Sequence, residues 1–121
     1  MTLDSAVAAH VSTPAGDVVG IPAGGRLVFG RGPGVDLLVP VGRGLSRRAG
    51  LVVAEFGGAW VANISRTHAL YAEGDGYRIR LPRMEDDAEP TGGWFIRSGT
   101  TLVGSRAMLD EGQSLAVTIT A

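Results

Sequence analysis

Short apolar segments alternate with turn residues along the whole chain. The clearest alternation spans Gly76–Leu81, where Tyr77, Ile79 and Leu81 are separated by two arginines. Successive side chains of a strand point to opposite faces, so this pattern predicts a strand with one buried and one solvated face. No segment keeps a 3.6-residue apolar period over three turns, and the pattern leaves room for one helical turn at Ser105–Asp110.

The remaining apolar segments extend this prediction to about ten or eleven short strands. In the last of them Leu115, Val117 and Ile119 share one face, which we expect to point into the core. Short strands at close, even spacing are typical of an all-β protein, an antiparallel sandwich or barrel. The predicted strands are Ser5–Ser12, Asp17–Ile21, Arg26–Gly30, Val35–Val39, Gly50–Glu55, Ala59–Asn63, His68–Ala72, Gly76–Leu81, Trp94–Arg97, Thr100–Val103 and Ser114–Thr120.

Length and composition narrow the class of protein. The 121 residues suit one domain, residues 1–121, and 45% of them are hydrophobic. The absence of cysteine excludes disulfides and thiolate metal sites. A net charge of -1 lacks the basic excess of a nucleic-acid-binding domain. No apolar run has the length of a membrane helix and no secretory signal is visible, so we expect a cytoplasmic protein that contacts neither nucleic acid nor membrane.

All 11 basic residues are arginines, so an anion-binding site in this chain must use guanidinium groups. Several of them lie in three loops, which follow the third strand, precede the fifth and follow the sixth. Loops of a sandwich gather at its two ends. If these three meet, they form a site of donors that suits a phosphate and holds no activated nucleophile. The candidate residues are Arg31, Ser46, Arg47, Arg48, Asn63, Ser65, Arg66, Thr67 and His68.

This ordered set resembles the forkhead-associated (FHA) domain. Gly30-Arg31 and Ser46-Arg47 match the family's Gly-Arg and Ser-Arg-x-His motifs in order and spacing, and Asp36-Leu37 fits the Asp-aliphatic step between them. The segment 63–67 is similar to the one that leads into the family's Asn loop, and 109–112 is similar to its closing turn. The resemblance covers Arg26 to Ile119. It implies an eleven-strand β-sandwich that binds phosphothreonine peptides through loops at one end.

The resemblance also implies roles for single residues. Arg31 would hold a phosphate oxygen, Ser46 would donate its hydroxyl to the phosphate, and Arg47 would flank it. Two positions depart from the family pattern. The His of Ser-Arg-x-His is Ala49, and the loop Asn that grips the peptide backbone falls at Thr67 or His68.

The expected function is therefore a non-enzymatic adaptor or signalling module, or part of a larger assembly, that binds a threonine-phosphorylated partner without a cofactor or metal. The two departures support an alternative, a degenerate module of the same fold that binds its partner without phosphate. A third, weaker hypothesis is a small serine hydrolase that uses Ser65 and His68. The acidic run of Glu85, Asp86, Asp87 and Glu89 is expected to be a solvated loop rather than a calcium site.

Overall fold

The computed structural model describes residues 7–40, 43–85 and 93–120. This part of the chain forms eleven strands and one short helix, and it holds no helix long and apolar enough to cross a membrane. The elements are β1 (Val7–Ser12), β2 (Val18–Pro22), β3 (Arg26–Gly30), β4 (Leu37–Leu38), β5 (Gly50–Glu55), β6 (Gly58–Asn63), β7 (Tyr71–Gly74), β8 (Tyr77–Arg80), β9 (Trp94–Ile96), β10 (Thr100–Gly104), α1 (Arg106–Asp110) and β11 (Leu115–Ile119).

The strands form two separate sheets. One has six strands in the order β2-β1-β11-β10-β7-β8, and the other has five in the order β4-β3-β5-β6-β9. Contacts of β1 and β2 with β5, and of β1 with β6, join the two sheets face to face. The prediction of an all-β sandwich is therefore confirmed, and the alternative of a barrel is wrong. The pairs are antiparallel except for β3 and β4, which run parallel.

Apolar side chains from both sheets fill the space between them. Phe29 of β3 and Val61 of β6 are fully buried on one side, and Val103 of β10 and Val117 of β11 are fully buried on the other. Leu115 is also fully buried, as the alternation in the last strand predicts. Ile119 of the same face is only half-buried, so it is less buried than the alternation predicts.

Two predicted strands are wrong in extent, for a physical reason in each case. The strand predicted at His68–Ala72 begins at Tyr71, because side chains bond the backbone N–H groups of Thr67 and His68 within the preceding loop. The strand predicted at Val35–Val39 shortens to β4, because the Asp36 carboxylate accepts the Val28 N–H at 2.8 Å. The first predicted strand begins in residues outside the described part.

The alternation in β8 predicts more burial than the structure shows. Leu81 is buried, Ile79 is half-buried, and Tyr77 is 39% exposed. The reason is that β8 is one of the two edge strands of its sheet. The ring of Tyr77 contacts Trp94 of β9, an edge strand of the other sheet, with ring centroids 6.1 Å apart.

We expect Leu115→Ala to lower the free energy of unfolding by about 2–5 kcal/mol, because it opens a cavity in a fully buried position. Ile119→Ala should cost clearly less, since that side chain is already partly solvated. Urea denaturation of both variants measures the difference. Equal losses would contradict the burial described for β11.

Candidate functional site

The register of three neighbouring strands brings the candidate loops to one end of the sandwich. Phe29 near the end of β3 pairs with Gly50 at the start of β5, and Gly50 pairs with Asn63 at the end of β6. The loops that follow β3, precede β5 and follow β6 therefore leave the sheet side by side. All the site residues predicted from the sequence lie in or next to these loops.

Backbone hydrogen bonds fasten the first two loops to each other. The Arg31 N–H donates to the Ser46 carbonyl at 3.0 Å, and the Gly32 N–H donates to the Arg47 carbonyl at 3.1 Å. The Arg31 side chain adds a third bond, from Nε to the Leu45 carbonyl at 2.6 Å. These three bonds tie the loop to the segment after β3, close to Ala49, the position that departs from the family's His.

The close approach of these loops requires glycine. A Cβ atom on Gly30 would lie 2.1 Å from the Arg47 carbonyl oxygen, and one on Gly32 would lie 2.7 Å from the Arg47 Cβ. Both distances are far below van der Waals contact. The signal was present in the sequence as a glycine on each side of Arg31, but its structural reason appears only when the loops are seen together.

Asn63 shapes the third loop from within. Its Oδ1 accepts the Ser65 N–H at 2.8 Å, and its Nδ2 donates to the His68 carbonyl at 3.0 Å. Ser65 Oγ in turn accepts the N–H groups of Thr67 at 3.1 Å and His68 at 3.0 Å. Asn63 and Ser65 are both buried, and the Asn63 amide is engaged at both ends. Asn63 therefore positions the loop, which differs from the direct ligand contact expected from the sequence.

Four side chains of two loops meet at Ser46. Its Oγ lies 2.5 Å from Ser65 Oγ, 2.9 Å from His68 Nδ1 and 3.5 Å from Thr67 Oγ1. Thr67 Oγ1 also lies 2.9 Å from His68 Nδ1. The three hydroxyls can turn a donor toward an added anion, because a hydroxyl rotates about its C–O bond. We call these four residues the hydroxyl cluster.

The hydroxyl cluster lies in an open cleft of about 670 Å³, the Arg31 cleft. This volume falls in the range of ligand-binding clefts. No carboxylate lines the cleft among the described residues, and Arg31 makes no ion pair with any of them. Arg66 of this lining pairs with Glu85 outside it, whereas Arg31 and the hydroxyls face no carboxylate among the described residues, and donors placed in this way are suited to a dianion. The lining residues are Arg31, Pro33, Ser46, Arg47, Arg48, Ile64, Ser65, Arg66, Thr67 and His68.

The arrangement does not supply the pair of groups that the hydrolase hypothesis needs. The Ser65 hydroxyl bonds the backbone of His68, while the imidazole Nδ1 bonds Ser46 and Thr67 instead. No carboxylate in the described ranges bonds the imidazole to orient it, as a catalytic triad would require. Ser65 and His68 therefore do not form the nucleophile–base pair of that hypothesis.

Part of the acidic run is engaged with arginines. Glu85 accepts hydrogen bonds from Arg83 at 2.8 Å and Arg66 at 3.1 Å. The bond from Arg83 and the charge of Arg66 hold the pKa of the Glu85 carboxyl below its usual range. Asp86, Asp87 and Glu89 lie outside the described residues. Within the described ranges no group of acidic or histidine side chains is arranged to hold a metal ion.

Comparison with known proteins identifies the fold. No protein-family model matches the chain, and no curated protein matches it. Solved structures do match, among them the MEK1 FHA domain in complex with a HOP1 phosphothreonine peptide, with a TM-score of 0.66 and 13% identity over 96% of this chain and 100% of that one. The fold is that of an FHA domain.

Two further structures agree with this FHA fold. The N-terminal FHA domain of Rad53p from S. cerevisiae, solved with a phosphothreonine peptide, has a TM-score of 0.59 and 17% identity over 94% of each chain. The FHA domain of CT664 from Chlamydia trachomatis has a TM-score of 0.60 and 10% identity, covering 94% of this chain and 99% of that one. The sequence resemblance to the FHA domain is thereby confirmed for the fold.

We expect Gly30→Ala to disrupt the FHA-fold loops, because its methyl group would displace the Arg47 carbonyl. The free energy of unfolding should fall by about 1–3 kcal/mol or more. Urea denaturation, with amide NMR shifts at Arg31 and Arg47, measures both effects. The matched control is Gly20→Ala, whose methyl group would meet side chains alone, Val7 at 3.1 Å and His10 at 3.6 Å. An unchanged Gly30→Ala protein would contradict the close approach.

Proposed function

We propose that this FHA-fold domain binds a threonine-phosphorylated segment of a partner protein in the Arg31 cleft. The observation that carries the proposal is the convergence of Arg31 with the hydroxyl cluster in a cleft without an opposing carboxylate among the described residues. In this proposal the protein is a cytoplasmic adaptor or signalling component, alone or within a larger assembly, and not an enzyme. The solved FHA domains with bound phosphothreonine peptides support it.

The physical basis is charge and hydrogen-bond complementarity. A phosphate group carries about -1.5 to -2 charges at neutral pH and offers three acceptor oxygens. The cleft offers the terminal NH₂ groups of Arg31, the guanidinium of exposed Arg47, and the hydroxyls of Ser46 and Thr67. Each hydrogen bond to a charged group contributes about 1.5–3 kcal/mol. Two or three such bonds are enough to favour a phosphorylated peptide over its unphosphorylated form by a few kcal/mol.

His68 is one of the two positions, with Thr67, at which the family's backbone-gripping asparagine falls, and we propose that it makes the backbone contact. Its side chain is exposed at the mouth of the cleft, and Nδ1 is held by Ser46 and Thr67. This leaves the other ring nitrogen, Nε2, to bond a peptide group. In this proposal the fixed imidazole serves as the backbone contact, although one ring nitrogen replaces the two-ended amide of an asparagine.

A second candidate function has its own support in the hydroxyl cluster. The hydroxyls of Ser46, Ser65 and Thr67 already bond one another and His68, and Arg31 Nε is already bonded to the Leu45 carbonyl. A site satisfied in this way could remain closed to phosphate. The domain would then be a degenerate FHA-fold module that binds an unphosphorylated partner.

We expect Arg31→Ala to weaken binding of phosphothreonine peptides by at least about tenfold, or about 1.4 kcal/mol. The reason is the loss of a charge-assisted contact in the cleft. Ser46→Ala should weaken binding less, since it removes one neutral donor that water can replace. Calorimetry with a degenerate phosphothreonine library and its unphosphorylated counterpart measures both affinities.

The matched control is Arg97→Ala, which removes the same charge elsewhere. Arg97 is exposed and follows β9, whose Ile96 pairs with Ala59 near the start of β6, at the end of the sandwich opposite the Arg31 cleft. It should leave the affinity nearly unchanged. Equal affinity of the wild-type protein for the two libraries would overturn the phosphate proposal and favour the degenerate module.

Affinity for the phosphorylated library should also fall as salt is added. The Arg31 cleft is open to solvent and its proposed ligand is anionic, so mobile ions screen their attraction, with a Debye length of about 8 Å at 0.15 M. Titrations at low and high sodium chloride measure the slope. Arg31→Ala should have a shallower slope than wild type, and a salt-independent affinity would contradict an electrostatic site.

A further inference from the structure

A second cleft, of about 420 Å³, lies directly beside the Arg31 cleft, and we call it the Arg80 cleft. The two clefts share Ser65, Arg66, Thr67 and His68 as a common wall. The opposite wall of the Arg80 cleft is the segment Arg80–Arg83, which follows β8. A ligand seated at the hydroxyl cluster therefore has this second cleft within reach.

The chain crosses between the two sheets at this point. After β8, the Pro82 carbonyl accepts the Asn63 N–H at 3.0 Å, and the Met84 N–H donates to the Asn63 carbonyl at 2.8 Å. These bonds pair the segment with the end of β6 and fix Arg83 beside it. Arg80 is placed independently by pairing with Tyr71 at the start of β7. The basic residues of the cleft are thus held on backbone that is itself anchored.

Three arginines line the Arg80 cleft and no carboxylate lines it, within the part of the chain that the structure describes. Glu85 lies at its margin and bridges two of them, with Arg83 at 2.8 Å and Arg66 at 3.1 Å. Arg80 makes no ion pair with any described residue. Among the described residues, arginines therefore outnumber carboxylates at this cleft, and the Glu85 carboxylate is already held between two of its guanidinium groups.

We propose that the Arg80 cleft binds a second anionic group on the same phosphothreonine ligand, an acidic side chain or a second phosphate close to the phosphothreonine in sequence. This inference rests on the proposed function, because the first phosphate places the ligand beside the cleft. Glu85 acts as an internal competitor, since it occupies Arg66 and Arg83 when no ligand is bound. Arg80 supplies the first contact for the incoming anion.

The test compares peptides that differ in one group. A reference peptide carries a single phosphothreonine among neutral residues. In the acidic series an aspartate replaces one neutral residue, at each position from three before to four after the phosphothreonine, and in the phosphate series a second phosphothreonine takes the same positions. Extended peptide advances about 3.3 Å per residue, so neighbouring clefts correspond to a spacing of a few residues. Fluorescence anisotropy measures each dissociation constant.

We expect the second anion to strengthen binding roughly threefold or more at one or two positions, with the larger gain from the second phosphate because it carries more charge. The acidic and phosphate series separate the two sources of the anion. A gain in either series supports the inference. If neither series shows a gain at any position, the inference is overturned.

Variants assign the gain to the cleft. Arg80→Gln and Arg83→Gln should abolish the advantage of the best second-anion peptide over the reference peptide, while both variants still bind the reference peptide. Glu85→Gln should increase that advantage by about twofold or more, because it frees two arginines. Arg97→Gln, with the same change at the far end of the sandwich, is the matched control and should preserve the advantage.

The outcomes separate the two proposals. If the reference peptide binds but the advantage persists in Arg80→Gln and Arg83→Gln, the second anion binds elsewhere and this inference is wrong. If no phosphothreonine peptide binds better than its unphosphorylated form, the proposed function fails, and this inference fails with it. Circular dichroism of each variant verifies that it retains the β-sheet spectrum of the wild type.

Discussion

The pairing of backbone between the segment after β3 and the loop before β5 is the constraint on which the candidate site depends. It exists because Gly30 lets two segments of the chain approach more closely than a Cβ atom at that position would allow. The pairing uses the carbonyls of Ser46 and Arg47 in bonds to Arg31 and Gly32. The side chains of these two residues take no part in the pairing: the Ser46 hydroxyl joins the hydroxyl cluster, and the Arg47 guanidinium lines the Arg31 cleft. A rigid frame of this kind lowers the entropy lost on binding, because the loop is already ordered.

The loop after β6 holds its hydrogen-bond donors in place in the absence of a ligand. Asn63 and Ser65 satisfy the backbone of the loop from its buried side, so the loop needs no regular strand to hold it. The hydroxyl cluster meanwhile bonds itself through His68. A bound phosphate would replace these neutral hydrogen bonds with charge-assisted ones, which are roughly twice as strong. Because each bond lost within the cluster is replaced by one to the phosphate, few donors are left without a partner. A cluster whose hydrogen bonds are already satisfied is therefore compatible with a binding site.

The strand framework could be predicted from the sequence, because period-two alternation and glycine turns are local signals. β3 and β5 have the predicted bounds, and most others differ by one or two residues. The errors arise where side chains replace the strand ladder. Asp36 takes the place of a backbone acceptor near β4, and the Asn63 amide turns the segment before β7 into a loop although Leu70 is fully buried. Such substitutions depend on three-dimensional contacts that no local pattern records.

The site could be predicted only for the loops that share one sheet. Arg31, Ser46 and Ser65 belong to loops of neighbouring strands, and their order in the chain resembles a known family. Arg80, by contrast, belongs to the wet face of an alternating strand, and Arg83 is one cation in a loop. Their place beside the same site follows from the crossing after β8, where Asn63 bonds the segment that carries Arg83.

That crossing makes Asn63 the link between the two clefts. Its backbone bonds the segment of the Arg80 cleft, while its side chain shapes the loop of the Arg31 cleft. The overall charge of -1 gives no sign of this arrangement, in which arginines line both clefts and, among the described residues, no carboxylate does. Within a Debye length the local charge governs the attraction of an anion, and the net charge of the chain has little influence. A nearly neutral domain can therefore carry clefts lined by arginine, and Glu85 offsets part of the charge of Arg66 and Arg83.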